Sequence, residues 1–279
     1  MAMPAVPSIP EPLLAVVSLL VAAAVAVVFA WPKTRQSPVR KPPVRVPHAV
    51  LVTAHPDDEC MFFTPTIAGL IEDGWEVSVL CLSTGGRDGE ENATRSAELE
   101  LVGEELGIHV LFADGADVRF PDGMDTTWRM QEIADVVQDF VEDSGVDAVI
   151  TFDDYGVSGH GNHVAVSRGV DYFRRFRPCP ANVDFYFLHS TSIWRKYSGP
   201  FDTFVSAMVC APPDATYAVA DWSLAARLMG LHASQNVWYR RLFTVFSRYV
   251  YINTLAYAQP TAVDEDGGVL DSDSELSSE

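Results

Sequence analysis

The sequence predicts an α/β fold, a mostly parallel sheet with helices on both faces. Three observations carry this reading. Short apolar runs rich in β-branched residues recur at 49–54, 77–82, 108–112, 147–152 and 185–189, each bounded by turn formers, as buried strands are. Stretches with helical spacing, 64–73, 94–106 and 128–141, lie between them, and strands alternating with helices of this length make a parallel sheet. Clusters of histidine and carboxylate follow the first and fourth strands directly, at the strand ends where open α/β sheets bind their ligands.

Residues 12–31, PLLAVVSLLVAAAVAVVFAW, contain no charge and a single hydroxyl, Ser18. Twenty such residues match the roughly 30 Å hydrocarbon core of a bilayer, so this stretch is expected to be a transmembrane anchor preceded by a short segment, 1–11. A cleaved signal peptide needs a basic start, whereas residues 1–11 hold no Lys or Arg and end in Glu11. Residues 32–47 form a basic, proline-rich linker: Lys33, Arg35, Arg40, Lys41 and Arg45 interleave with Pro38, Pro42, Pro43 and Pro47. Basic flanks stay on the cytoplasmic side, which places the following domain in the cytosol. The prolines make the connector a semi-rigid spacer.

The domain spans 48–258. After the first strand, a helix over 64–73 shows Ile67, Leu70 and Ile71 on one face and stops near Gly74. The second strand runs into STGGRDG (83–89), either a flexible connector or the rim of a cleft; it matches no dinucleotide or P-loop fingerprint. The helix over 94–106 buries Ala97, Leu99, Val102 and Leu106, and that over 128–141 buries Ile133, Val136, Val137 and Phe140. A further helix is expected from about Val164, and 218–229 and 235–256 read as two closing helices. Residues 259–279, acidic and short of aromatics, read as a disordered tail. Trp128, Trp222 and Trp238 are expected in the core, and His48, His109, His189 and His232 as structural residues.

The net charge of −19 argues against nucleic acid as a partner, because phosphate backbones require a basic surface. Cys60, Cys81, Cys179 and Cys210 form no C-x-x-C pair and suggest reduced thiols rather than a disulfide framework.

The chemistry concentrates in two clusters, His55-Pro56-Asp57-Asp58-Glu59 and His160-Gly161-Asn162-His163. Because both follow parallel strands, they share one edge of the sheet, and His55, Asp57, Asp58, His160 and His163 can converge there. Three carboxylates and an imidazole within five positions repel one another and favour a bound cation. Two imidazoles and one carboxylate make a zinc set with an open position for water. A spare carboxylate can then serve as general base and a spare histidine as oxyanion donor or acid, a constellation suited to amide or ester hydrolysis.

These motifs, AHPDDE (54–59) and GHGNH (159–163), resemble the paired motifs of the LmbE-like/PIG-L de-N-acetylases. The similarity runs from Val50 to about Leu255. Within that family, TFDDYGVSGH (151–160), FPDG (120–123) with Trp128, SQNVWYR (234–240) and SRYVYIN (247–253) are similar to segments of the eukaryotic N-acetylglucosaminylphosphatidylinositol de-N-acetylase branch. The resemblance implies a Rossmann-like fold and a zinc-dependent deacetylase. His55, Asp58 and His163 would hold Zn2+, with other divalent ions also suited to the set. Asp57 would be the general base, and His160 would stabilise the oxyanion or protonate the departing amine. Arg95 would lie near the sugar.

The implied substrate is a glycolipid, N-acetylglucosaminyl-phosphatidylinositol, deacetylated on the cytoplasmic leaflet of the endoplasmic reticulum membrane as the second step of glycosylphosphatidylinositol anchor synthesis. Two other readings remain: a related deacetylase of soluble N-acetylglucosaminides, and a catalytically silent membrane-tethered binding protein. The chain departs from the family where Gly-Arg-Asp-Gly-Glu-Glu (86–91) follows Thr84-Gly85, which makes the loop that would meet the glycan unusually acidic.

Overall fold

A computed structural model describes residues 18–19, 45–86, 89–113, 119–123, 126–209 and 215–259. Within these, a seven-stranded sheet has the order β3-β2-β1-β4-β5-β7-β6. The strands are β1 (His48–Thr53), β2 (Glu76–Cys81), β3 (His109–Phe112), β4 (Ala148–Phe152), β5 (Asp184–Leu188), β6 (Ala215–Ala218) and β7 (Ile252–Ala258). The first five pair in parallel. β7 runs antiparallel to both β5 and β6, so the sheet is mixed.

Every residue of β1 and β4 is buried, which is why both read as unbroken apolar runs rather than alternating ones. The helices are α1 (Asp58–Phe62), α2 (Thr64–Glu72), α3 (Gly89–Leu106), α4 (Met130–Ser144), α5 (Gly156–Gly159), α6 (Gly161–Phe176), α7 (Ile193–Lys196), α8 (Phe201–Val209), α9 (Leu224–Leu231) and α10 (Trp238–Phe246). α4 packs on α6, α6 on β4 and β1, and α2 on β2, β6 and β7. The core joins Leu51, Val79, Ile150 and Phe185 of the strands to Ile67, Ile133, Val137 and Phe173 of the helices.

The carboxyl-terminal third corrects the sequence reading. The expected helix over 235–256 is three pieces: α10, a 3₁₀ turn at Arg248–Val250, and strand β7. Ser247 ends the helix in an extended conformation, and its hydroxyl accepts from the Tyr249 N–H. Asn253 then fixes the strand from both ends of its side chain. Its oxygen accepts from the backbone and hydroxyl of Thr66, and its amide donates to the carbonyls of Phe62 and Tyr249. Pairing with two strands and these bonds outweigh a helical apolar spacing. Likewise, the start of the expected helix over 218–229 belongs to strand β6, and the helix begins only at Leu224.

Trp128 is buried, as expected, but Trp222, ahead of α9, is partly exposed, and Trp238 is 72 % exposed because the apolar residues of α10 do not all face inward. The amino-terminal segment, the expected membrane span, most of the linker and the acidic tail lie outside the described residues, apart from residues 18–19, 45–47 and 259. Among the described residues, no helix is long and apolar enough to cross a membrane.

Candidate metal centre

Strand order 3-2-1-4-5 puts β1 and β4 side by side. Their connections leave in opposite directions across the sheet, and a crevice opens at that switch point. Both histidine clusters emerge there. From β1 the chain turns through His55-Pro56-Asp57 into α1. Asp58 closes this turn, its Oδ2 accepting from the backbone N–H groups of Ala54 and His55, both at 2.9 Å. Asp57 takes φ 121°, a positive value rare for a residue with a side chain. Its N–H donates to Glu59 Oε2 at 3.0 Å, and Glu59 is itself tied to the fully buried His232, with Oε1 2.6 Å from Nε2.

From β4, Gly156 and Val157 both adopt positive φ. A Cβ on Gly156 would lie 2.7 Å from that of His163, so glycine is required for the close approach. His160 caps α6, its Nδ1 accepting from the Asn162 N–H at 3.2 Å. His163 stacks flat on Phe152, with centroids 4.3 Å apart.

His55, Asp58 and His163 are all buried and bring one donor atom each to within 4.8 Å of one another. The outer atoms are already engaged. Nδ1 of His163 meets the Gly156 carbonyl at 3.1 Å and Asp58 Oδ2 holds two amides, so His163 Nε2 and Asp58 Oδ1 face each other at 3.2 Å. Ligand nitrogens oriented by a carbonyl on their far side are what metal sites require, and the N, N, O donor set fits a divalent cation with an open position. A second grouping, His55, Asp122 and His160, meets the same distance limit and shares His55. A third, Glu59, Cys60 and His232, contains the buried ion pair just described and reads as structural.

The charges set the protonation states. Burial works to raise the Asp58 carboxyl, but His163 and His55 outweigh it and hold Asp58 well below the ordinary carboxylate range. Burial alone would lower His163, and the Asp58 carboxylate reverses that and raises it. His160 is lowered by burial and by the neighbouring His163 and His55. Asp57 is raised by burial, against the pull of Arg240.

All five residues from the two sequence clusters therefore meet in one place. Ring centroids of His55, His160 and His163 lie 5.0 to 5.6 Å apart. Arg95 is buried beside them, its guanidinium 3.7 Å from Asp57 and donating to the Pro56 carbonyl at 2.9 Å. It also meets the carbonyl of Gly85, which puts the described start of the glycine-rich loop, residues 83–86, at the rim of this cleft.

Four features carried no role in the sequence reading. Arg240 of α10 lies 2.7 Å from Asp57 Oδ2. Asp122 reaches both His55, at 3.1 Å, and Arg95, at 3.3 Å. The Asn162 amide lies 2.9 Å from His55 Nε2, and the Glu59–His232 pair supports Asp57 from behind. Asp122, Asn162 and Arg240 all fall inside motifs picked out by resemblance, the only signal that could have flagged them.

A family model described as "PIG-L: GlcNAc-PI de-N-acetylase" matches residues 50–173. The chain is 37 % identical over 211 residues to the N-acetylglucosaminyl-phosphatidylinositol de-N-acetylase of Bos taurus, covering 75 % of this chain and 82 % of that protein. It is 33 % identical over 221 residues to a probable enzyme of the same name in Schizosaccharomyces pombe, covering 75 % and 86 %. Among solved structures, the fold is similar to the N,N'-diacetylchitobiose deacetylase of Pyrococcus horikoshii, with TM-score 0.55 and 16 % identity over 80 % of this chain and 87 % of that one. It is also similar to a deacetylase of teicoplanin biosynthesis, with TM-score 0.53 and 14 % identity over 76 % and 98 %. The chain belongs to the PIG-L family of GlcNAc-PI de-N-acetylases.

Proposed function

We propose that the chain is a metal-dependent amidohydrolase that removes the acetyl group from N-acetylglucosaminyl-phosphatidylinositol, releasing acetate and glucosaminyl-phosphatidylinositol for glycosylphosphatidylinositol anchor synthesis. The observation that carries this reading is the convergence of His55, Asp58 and His163 beside the buried, arginine-held carboxylate of Asp57. The names of the relatives supply the substrate.

His55, Asp58 and His163 would hold a divalent cation, zinc being suited to the set. When bound, the cation supplies Lewis acidity that polarises the acetamido carbonyl and acidifies water. Asp57 acts as general base, a task helped by a carboxyl whose pKa burial has raised towards the working pH. Having taken the water's proton, Asp57 can return it to the departing amine. Nδ1 of His160 accepts a backbone N–H, which leaves the proton of the neutral ring on Nε2. With its pKa lowered, His160 is a neutral donor for the oxyanion of the tetrahedral stage. Arg240 and Arg95 hold Asp57 against rotation.

The apolar run at 12–31 and the basic residues after it support an anchor in the endoplasmic reticulum membrane with the domain in the cytosol. The exposed Trp238, Leu242, Val245 and Phe246 of α10 suit work at a lipid surface.

The test is acetate release from N-acetylglucosaminyl-phosphatidylinositol by membranes carrying the chain. Activity lost on chelation, restored by zinc and lowered about 10²- to 10⁴-fold in Asp57→Asn is the expected result. A folded, metal-loaded protein that leaves this glycolipid intact but deacetylates soluble N-acetylglucosaminides would overturn the substrate.

A further inference from the structure

Lys196, the last residue of α7, is only 8 % exposed. Its Nζ donates to the Val157 carbonyl at 3.2 Å and lies 5.7 and 5.9 Å from the ring centroids of Tyr197 and Phe243. Among the described residues no carboxylate pairs with it, and burial lowers its pKa with no acid to pull it back. A buried ammonium with one carbonyl and two aromatic faces for company is destabilising unless something else meets its charge.

Lys196 lines a cavity of about 630 Å³ that it shares with Phe62, Ser158, Tyr239 and Arg240. The walls of that cavity are also walls of the metal centre. Arg240 touches Asp57, and the edge of Phe62 lies against His163, with centroids 5.6 Å apart. The carbonyl that Lys196 holds, on Val157, follows the Gly156 carbonyl that orients His163. Arg240 is committed to Asp57 and to the side chain of Gln235, which leaves Lys196 as the cation in the cavity with a charge to give. The remaining lining is largely apolar, with Met61, Leu242 and Phe246 contributing.

We propose that Lys196 receives the phosphodiester of the lipid-linked substrate, while the apolar wall of the same cavity takes the hydrocarbon next to it. The proposal rests on the deacetylase reading above and adds what distinguishes the glycolipid from a neutral N-acetyl sugar. A phosphodiester carries one negative charge, which a single ammonium can meet, and the cavity falls within the range that encloses small ligands. The sugar at the metal centre and the phosphate at Lys196 would then be held by neighbouring pockets with a common wall.

The experiment compares two substrates in detergent micelles with the full metal-loaded chain: N-acetylglucosaminyl-phosphatidylinositol and phosphate-free N-acetylglucosaminyl-inositol. In Lys196→Met the ratio of kcat/KM for the first over the second falls about 10- to 100-fold, the loss for a buried charge-assisted contact, mainly through KM. In Lys196→Arg the ratio is largely retained. Thermal stability of Lys196→Met is unchanged or higher, because an unpaired buried charge has gone. A ratio that does not move in Lys196→Met, or a fall in Tm with equal loss on both substrates, would overturn the proposal in favour of a structural lysine.

A calorimetric titration separates the sources of the anion. Glycerophosphoinositol is expected to bind the parent and to bind Lys196→Met at least tenfold more weakly. Inorganic phosphate binding as tightly would replace the phosphodiester subsite with a general anion site. Lys196-dependent binding of glycerophosphoinositol by a protein that turns over neither substrate would sink the deacetylase reading and leave the subsite standing.

Discussion

Glu59 is the residue whose loss tells most about how the site is held. Its carboxylate does two things: Oε1 meets His232 at 2.6 Å with both side chains fully buried, and Oε2 accepts from the Asp57 N–H at 3.0 Å. Glu59→Ala removes both contacts. Breaking a buried pair on one side costs about 3–5 kcal/mol. His232 limits that loss. Burial works to lower its pKa, and the Glu59 carboxylate, with lesser help from Asp57 and Glu98, outweighs that and raises it, so without Glu59 the ring tends to shed its proton rather than stay a bare cation. We therefore expect about 3 kcal/mol, a fall in Tm on the order of 10 °C for a domain of this size.

The second contact concerns activity. The positive φ at Asp57 is a strained conformation costing about 1–3 kcal/mol, and the bond to Glu59 helps to hold it. Its release lets Asp57, the proposed general base, drift, for an expected 10- to 100-fold loss in kcat. Glu59→Gln keeps an acceptor for the Asp57 N–H and should lose about 1–2 kcal/mol with much of the turnover retained. Denaturant unfolding and acetate release on both variants provide the assay. If Glu59→Ala stays within 1 kcal/mol of the parent with full turnover, or if Gln is as damaging as Ala, then Glu59 does not hold Asp57 in place.

Three other predictions follow from geometry already described. His163→Ala should leave a folded protein that no longer retains zinc through gel filtration, measured by metal content, and retention at the parental stoichiometry would exclude His163 as a ligand. Gly156→Ala combines a left-handed backbone with a Cβ 2.7 Å from that of His163, so it should destabilise by about 1–3 kcal/mol and weaken metal retention, whereas Gly230→Ala, where an added Cβ meets nothing, should do neither. Asp202 lies against Arg195, at 2.7 and 3.0 Å, and Arg248, at 2.5 Å. Burial pushes its carboxyl up, but these cations win and hold it below the ordinary 3.8. A depressed carboxylate stabilises above its unfolded pKa and loses that contribution as pH falls through the folded one, so the stability gap between parent and Asp202→Asn should be full near neutrality and close in acid below about pH 4. A gap unchanged across that window would contradict the assignment.

What could be read from the sequence follows the range of the interactions. Strands β1, β2, β4 and β5 are largely buried stretches whose composition alone marks them, and β3, though exposed or half-buried throughout, carries the same kind of short apolar run. The metal-ligand candidates were legible because each cluster is local and directly follows a strand. The carboxyl-terminal strands were not legible. Residues 252–258 carry apolar and aromatic side chains at spacings that also suit a helix, and what makes them a strand is Asn253 reaching Thr66 and Phe62, nearly two hundred positions away. The supports of Asp57 failed for the same reason, since His232 lies 173 positions from Glu59. Lys196 gave no signal at all, because nothing in the sequence distinguishes a buried lysine from a solvated one.

The two outermost strands, β3 and β6, are only four residues each. An unpaired strand flank is a template on which another chain can add itself, and brevity is one of the ways proteins blunt it. Along β3 the side chains alternate between exposed and half-buried, and His109 sits 3.2 Å from Glu76 of the neighbouring strand, so a chain docking there would have to strip water from these polar side chains for a handful of backbone bonds. At the other flank, the reversal of direction at β7 ends the parallel series. Both borders are thus poor seeds for self-association, which suits a domain whose β1 and β4 are apolar enough to aggregate if they were ever laid bare.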